Sequence, residues 1–473
     1  MSVNPNRCIG AMAMAVLCVI VLLQLLFATE CYQSGGGIFR GGRKLELLNR
    51  NPADADLNTN VMRSVLVHRD DLRTSTSSRS RSERFLDAVK RSRIRVTELE
   101  KKLRTSREEQ VQAARSLEGQ VSAGSGEYVL QISLGTPPQQ FSAIVDTGSD
   151  LCWVQCAPCA RCFEQPDPLF IPLASSSYSN ASCTDSLCDA LPRPTCSMRN
   201  TCTYSYSYGD GSNTRGDFAF ETVTLNGSTL ARIGFGCGHN QEGTFAGADG
   251  LIGLGQGPLS LPSQLNSSFT HIFSYCLVDQ STTGTFSPIT FGNAAENSRA
   301  SFTPLLQNED NPSYYYVGVE SISVGNRRVP TPPSAFRIDA NGVGGVILDS
   351  GTTITYWRLA AFIPILAELR RQISYPEADP TPYGLNLCYD ISSVSASSLT
   401  LPSMTVHLTN VDFEIPVSNL WVLVDNFGET VCTAMSTSDQ FSIIGNVQQQ
   451  NNLIVTDVAN SRVGFLATDC STL

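Results

Sequence analysis

Two stretches of this chain read as copies of each other, and they constrain its fold more than anything else in it. Residues 143–153, AIVDTGSDLCW, and residues 346–355, VILDSGTTIT, each run from an apolar segment through an Asp into a tight Gly-containing turn. The two aspartates, Asp146 and Asp349, lie 203 positions apart. Each copy is followed by an apolar-apolar-Gly segment: GLIGLG around Gly253, 107 residues after Asp146, and FSIIGN around Gly445, 96 residues after Asp349. Repetition in the same order implies two halves of one design. From Gly126 onward, short alternating runs separated by Gly, Pro, Ser and Asn recur to the end, as in GEYVLQISLGTPPQQFSAIVD, which reads as strand, turn, strand. Long helices are scarce there. The best candidate is 359–373, LAAFIPILAELRRQI, where Pro364 has to sit near the first turn or kink the helix. The expected fold class is mainly β, in two related lobes spanning about 123–310 and 311–473.

The chain before residue 123 has a different character. Residues 9–28 form one apolar run after a short segment carrying Arg7, the pattern of a secretory signal over 1–30. A run of that length also suffices for an uncleaved anchor, the less favoured alternative. The first 120 residues hold 20 Lys and Arg against 13 Asp and Glu, and every Lys of the chain (Lys44, Lys90, Lys101, Lys102). The remainder carries 13 cationic against 30 acidic side chains, a balance that argues against a nucleic-acid partner and suits an acidic milieu. Residues 35–82 are polar and without sustained period, and read mostly as loop or disorder. From 83 to about 118, Leu86, Val89, Val96, Leu99 and Leu103 recur at helical spacing amid alternating charge, which predicts an amphipathic helix. The charge split suggests a basic prosegment over 31–122 lying on an acidic body as an intramolecular inhibitor. On that reading, charge reversal at Lys101 and Lys102 should abolish acid-triggered maturation.

Two carboxylates brought together by two half-chains can perform amide hydrolysis without a metal or a covalent nucleophile. One group must take a proton from water and another must give one to the carbonyl oxygen or leaving amine. Like charges in contact cannot both ionise, so such a pair shares one proton and is base and acid at once. Its titration belongs to the pair rather than to either Asp. The ordered set DTGSDLCW, SYGDGSNTRG, GLIGLG, ILDSGTTIT and SIIGNVQQQN resembles the pepsin-like aspartic proteases, over about 127–470. The resemblance implies a bilobal fold with the active site between the lobes, and Asp146 and Asp349 as the catalytic pair. It implies supporting loops formed by Thr147, Gly148, Ser149, Ser350, Gly351 and Thr352, the hydroxyls of Ser149 and Thr352 bonding the aspartates. Tyr208 and Gly209 would belong to a flap closing over substrate, with Trp153 the hydrogen-bond partner of Tyr208. The family's preference for large apolar residues beside the cut bond is expected here, on a peptide bound in extended form.

The cysteines narrow the resemblance. Cys156, Cys159, Cys162, Cys183, Cys188, Cys196 and Cys202 crowd the stretch between the first Asp and the flap, an insertion similar to that of the plant nepenthesin-like group. A CxxCxxC run also suggests zinc, but a secreted chain without HExxH or paired His favours disulfides, and no metal or cofactor is expected. With Cys237, Cys276, Cys388, Cys432 and Cys470 they make twelve, enough for six bridges. By resemblance Cys388 and Cys432 pair in the second lobe. Cys152 is left over and reads as a buried free thiol. Asn180, Asn226 and Asn266 lie in glycosylation sequons. No GxSxG elbow, metal motif or phosphate-cradling loop is present, which excludes serine hydrolase, metalloprotease and nucleotide enzyme. The expectation is therefore a secreted or vacuolar, monomeric, acid-acting aspartic endopeptidase made as a zymogen, with peptide substrates. The rival is a non-catalytic, xylanase-inhibitor-like cell-wall binding protein of the same fold.

Overall fold

The computed structural model describes residues 61–69, 80–104, 128–208, 212–243, 245, 247–265, 269–279, 286–292, 299–395 and 397–473. The signal or anchor segment, Gly209, Asn266 and residues 105–122 lie outside them. Among the described residues no helix is long and apolar enough to cross a membrane.

In chain order the elements that build the site are β1 (Val61–His68), α1 (Arg81–Arg104), β2 (Tyr128–Leu134), β3 (Gln139–Asp146), β4 (Trp153–Gln155), β5 (Cys202–Ser207), β6 (Asn213–Leu225) and β7 (Ser228–Glu242). They continue with β8 (Gly250–Gly253), β9 (Ile272–Cys276), β10 (Ser287–Gly292), β11 (Val346–Leu348), β12 (Thr355–Arg358), α2 (Leu359–Gln372), β13 (Ser442–Ile444), β14 (Asn452–Asp457) and β15 (Arg462–Ala467). The architecture is mainly β, as expected. An antiparallel run through β2, β1, β10, β9, β14 and β15 joins strands from both ends of the chain. Of its central strands, β9 and β14 are buried along their whole length.

Strand β1 corrects the expectation of loop over 35–82. It fills the slot between β2 and β10, with Leu66 opposite Leu130 and Ser64 opposite Ile289. Met62, Leu66 and Val67 are buried. No period-two pattern marks it, and its partners lie more than sixty and two hundred residues on, so tertiary context rather than local propensity makes it a strand. Helix α1 has a local cause. Ser80 and Glu83 form a capping box, Ser80 N–H donating to Glu83 Oε2 (2.7 Å) and Glu83 N–H donating to Ser80 Oγ (3.2 Å).

Helix α2 carries Pro364 inside rather than at its first turn. Pro364 has no N–H to give the carbonyl of Ala360, yet the helix continues because Phe362, Ile365, Leu366 and Leu369 are all buried. The internal repeat is visible in the sheet: β8 runs parallel to β3, setting Gly253 beside Asp146, and β13 runs parallel to β11, setting Ile444 beside Leu348. Each Asp turn thus leaves the end of one strand while a second strand from the same lobe crosses behind it.

Candidate active site

Asp146 ends β3 and Asp349 follows β11, and both side chains are buried. Burying a carboxylate is costly unless its oxygens are bonded, and here they are. Asp146 Oδ1 accepts Gly148 N–H (3.0 Å) and Oδ2 accepts the Ser149 hydroxyl (2.7 Å). Asp349 Oδ1 accepts Gly351 N–H (2.9 Å) and Oδ2 accepts the Thr352 hydroxyl (2.5 Å). The two turns also hold each other: Ser350 N–H donates to Thr147 Oγ1 (2.9 Å), and Thr147 N–H to Ser350 Oγ (3.3 Å). The glycines make room for the opposite carboxylate. A Cβ on Gly148 would stand 2.9 Å from Asp349 Oδ1, and one on Gly351 would stand 2.4 Å from Asp146 Oδ1.

A third charged group joins the pair. The guanidinium of Arg95, from the leader helix α1, lies between the carboxylates with its side chain 5% exposed. Its Nη2 is 2.8 Å from Asp146 Oδ1 and 3.1 Å from Asp349 Oδ1, and its Nε is 3.0 Å from Asp349 Oδ2. Burial alone would raise the Asp146 carboxyl, but Arg95, the Ser149 hydroxyl and Gly148 N–H together hold it below the usual range. At Asp349 burial wins: with the Asp146 charge it keeps that carboxyl above the usual range, against the pull of Arg95.

Helix α1 is anchored around this contact. Phe85, Val89, Val96 and Leu99 pack into a cluster with Ile347, Ile354, Tyr356 and Phe441. Thr353 N–H donates to Ser92 Oγ (3.0 Å), and Ser438 Oγ donates to Glu100 Oε1 (2.7 Å). Sequence reasoning singled out Lys101 and Lys102, whose side chains lie outside the described residues; the cation at the carboxylates is Arg95. The signal that could have found it is spacing. Phe85, Ala88, Val89, Ser92, Arg95, Val96 and Leu99 share one helical face, and Arg95 is the charge set into that stripe.

Tyr208 follows β5 at the turn end of the β5–β6 hairpin, just past the closing pair Ser207–Asn213. Its hydroxyl accepts the Trp153 indole N–H at 2.6 Å, and both side chains are buried. Gly209 is outside the described residues. All twelve candidate cysteines are bridged: Cys156–Cys237, Cys159–Cys162, Cys183–Cys196, Cys188–Cys202, Cys276–Cys470 and Cys388–Cys432. Cys152 is free and buried, its thiol pushed up to about 12 by burial, so it is no nucleophile. Asn180 is exposed, and Asn226 is exposed at the Asn-Gly tip of the β6–β7 hairpin with φ 43°. Among the described residues no group of side chains is suited to a metal ion. A residue that sequence reasoning passed over is Asp150: its Oδ1 accepts Gly257 N–H (2.9 Å) and its Oδ2 the Ser313 hydroxyl. Burial raises its carboxyl, and these bonds tie the Asp146 turn to the segment that enters the second lobe.

Comparison with known proteins gives this geometry a family. Residues 128–293 match the family described as xylanase inhibitor N-terminal, and 314–467 match xylanase inhibitor C-terminal. The chain is 44% identical over 359 residues to aspartic proteinase nepenthesin-1 of Nepenthes gracilis, covering 75% of this chain and 80% of that one. It is 42% identical over 353 residues to aspartyl protease family protein 2 of Arabidopsis thaliana, covering 74% and 72%. Among solved structures, that of edgp superposes with a TM-score of 0.60 at 23% identity, covering 73% of this chain and 92% of that one, a likeness of fold. The chain belongs to the pepsin-like aspartic endopeptidases, in their nepenthesin-like group.

Proposed function

We propose that Asp146 and Asp349 are the catalytic pair of this endopeptidase, and that the described arrangement is its zymogen, shut by Arg95. The observation that carries the reading is a single guanidinium bonded to both buried carboxylates. A water that is to attack a peptide carbonyl needs the same carboxylate oxygens, so the inhibitor and the reaction exclude each other. Once α1 leaves, the pair retains one proton between two negative groups, takes a proton from water and returns one to the leaving amine. The Ser149 and Thr352 hydroxyls and the two glycine N–H groups fix the outer lone pairs, so the inner oxygens face the substrate. Tyr208, held by Trp153, closes over an extended peptide that carries large apolar residues beside the cut bond. The protein works in an acidic compartment after secretion, its own prosegment acting as the intramolecular inhibitor.

A binding protein is the second reading, favoured by the xylanase-inhibitor descriptions that match both halves. The fully bonded pair of aspartates supports the enzyme instead. Digestion of denatured globin at low pH by the parent and by Asp146→Asn separates the two. The parent should digest it and the variant should be slower by about 10²- to 10⁴-fold, as removal of an acid–base group commonly costs. Equal digestion by both would remove the dyad from the mechanism, and no digestion by either would leave the binding protein.

A further inference from the structure

We propose that the Cys-bridged loop 156–163 is a strut for the flap, and that Phe163 is a positioning residue that sets Trp153 and, through it, Tyr208. The inference rests on the reading of Tyr208 as the residue that closes over substrate. It starts from the way the loop is tied down. Cys156 is bridged to Cys237 on β7, and Cys159 to Cys162 within the loop. Ala160 N–H donates to His239 O (2.8 Å), and Gln241 N–H donates to Arg161 O (2.9 Å). The Arg161 guanidinium lies 2.5 Å from Glu242 Oε1, while Glu242 Oε2 accepts the Asn213 amide at 2.9 Å. Asn213 opens β6 opposite Ser207, the residue before Tyr208. The loop is therefore fastened to the strands from which the flap hairpin rises.

Its far end is fixed with equal care. The buried Gln155 at the end of β4 clasps the Phe163 backbone from both sides: Nε2 donates to Phe163 O and Oε1 accepts Phe163 N–H, each at 3.0 Å. That clasp aims the ring. Phe163 meets Trp153 edge to face, ring centroids 6.3 Å apart and planes at 85°, and it packs on Phe245 at 5.2 Å. Phe245 in turn stands 4.7 Å from Trp153 and 5.9 Å from Tyr208. Phe163 and Phe245 thus brace the indole whose N–H holds the Tyr208 hydroxyl. Two χ angles define each of these rings, so fixing the neighbours leaves Trp153 one place to stand. A loop with neither helix nor long strand of its own is thereby tied at several points beside the turn end of the hairpin.

The test uses the full chain, activated in acid and assayed on a fluorogenic peptide, with Asp146→Asn alongside. Phe163→Ala should lower kcat/KM by about tenfold, the order expected when a substrate-positioning group is misplaced. The loss should appear mainly in KM if the flap acts in holding substrate. Phe163→Tyr should restore most of it, and Phe163→Ala made in a Trp153→Phe background should add little further loss, because both act through the same contact. Purely structural packing predicts instead a lowered thermal midpoint with unchanged kinetics in the surviving folded fraction, and that result overturns the strut. So does full additivity with Trp153→Phe. An active Asp146→Asn would overturn the dyad reading and this proposal with it, whereas an inert Asp146→Asn beside an unaffected Phe163→Ala sinks the strut alone.

Discussion

Full-length protein carrying Arg95→Gln should activate without acid, gaining about 100-fold in peptide-cleaving activity near pH 6 over the parent. The sign follows from the pairing. Arg95 bonds both carboxylates, and it is the charge that draws the Asp146 carboxyl down against burial. A depressed carboxyl stabilises the docked helix above its free value, and that stability is lost as pH falls through the depressed one. The Asp349 carboxyl, kept above the usual range by burial and by the Asp146 charge, contributes no such loss, so the window of release lies below the ordinary carboxylate range, where Asp146 is neutralised. Breaking a buried pair by removing one partner costs about 3 kcal/mol or more, which is about 100-fold in the docking equilibrium. The same arithmetic makes Arg95→Lys intermediate, because a point charge cannot span both carboxylates as the planar guanidinium does. Incubation of parent and variants over a pH series, followed by chain length and fluorogenic hydrolysis, reads the threshold directly. If Arg95→Gln keeps the parent's threshold, Arg95 is not the latch.

The parts of the site that were legible in sequence are those coded locally. Each Asp turn announces itself by an apolar run, a Gly and a hydroxyl within four residues, and the carboxylate bonds from Ser149 and Thr352 are short-range consequences of that spacing. The crossing strands were legible because the pattern occurs twice. What was not legible depends on distance. Strand β1 looks like loop because its two partners come from far along the chain. Arg95 is one of many cations in a basic leader, and only its place on the apolar face of α1 separates it from the solvated ones. The pairing of Cys156 with Cys237 was equally hidden, since a bridge spanning 81 residues leaves no trace in local spacing. Cys152, by contrast, is the buried free thiol that its sequence setting suggested: its Sγ lies 3.8 Å from Gly253 O, behind the Asp146 turn.

Gly351→Ala should cost at least about 100-fold in kcat although the chain keeps both aspartates and its fold. The added methyl would stand 2.4 Å from Asp146 Oδ1, far inside van der Waals contact, so either the Asp349 turn or the Asp146 carboxylate must move. Neither can move freely. The turns are locked to each other through Thr147 and Ser350, and Asp146 is held on its outer edge by Ser149 and Gly148. A displacement near 1 Å at reacting atoms is worth about 100-fold. The effect should fall on kcat more than on KM, because what the displaced carboxylate loses is an interaction made in the transition state. The mirror substitution, Gly148→Ala, meets Asp349 Oδ1 at 2.9 Å and should be the milder of the two. With Arg95 between the carboxylates both methyls would also crowd it, the one at 148 standing 2.4 Å from Arg95 Nη2 and the one at 351 standing 3.1 Å from Arg95 Cζ. Each variant should therefore shed its prosegment at higher pH than the parent while hydrolysing peptide more slowly. Steady-state kinetics on acid-activated protein, set beside the pH at which the chain shortens, measures the two effects separately. Parent-like kcat in Gly351→Ala would mean that the two carboxylates do not face each other across these glycines during the reaction.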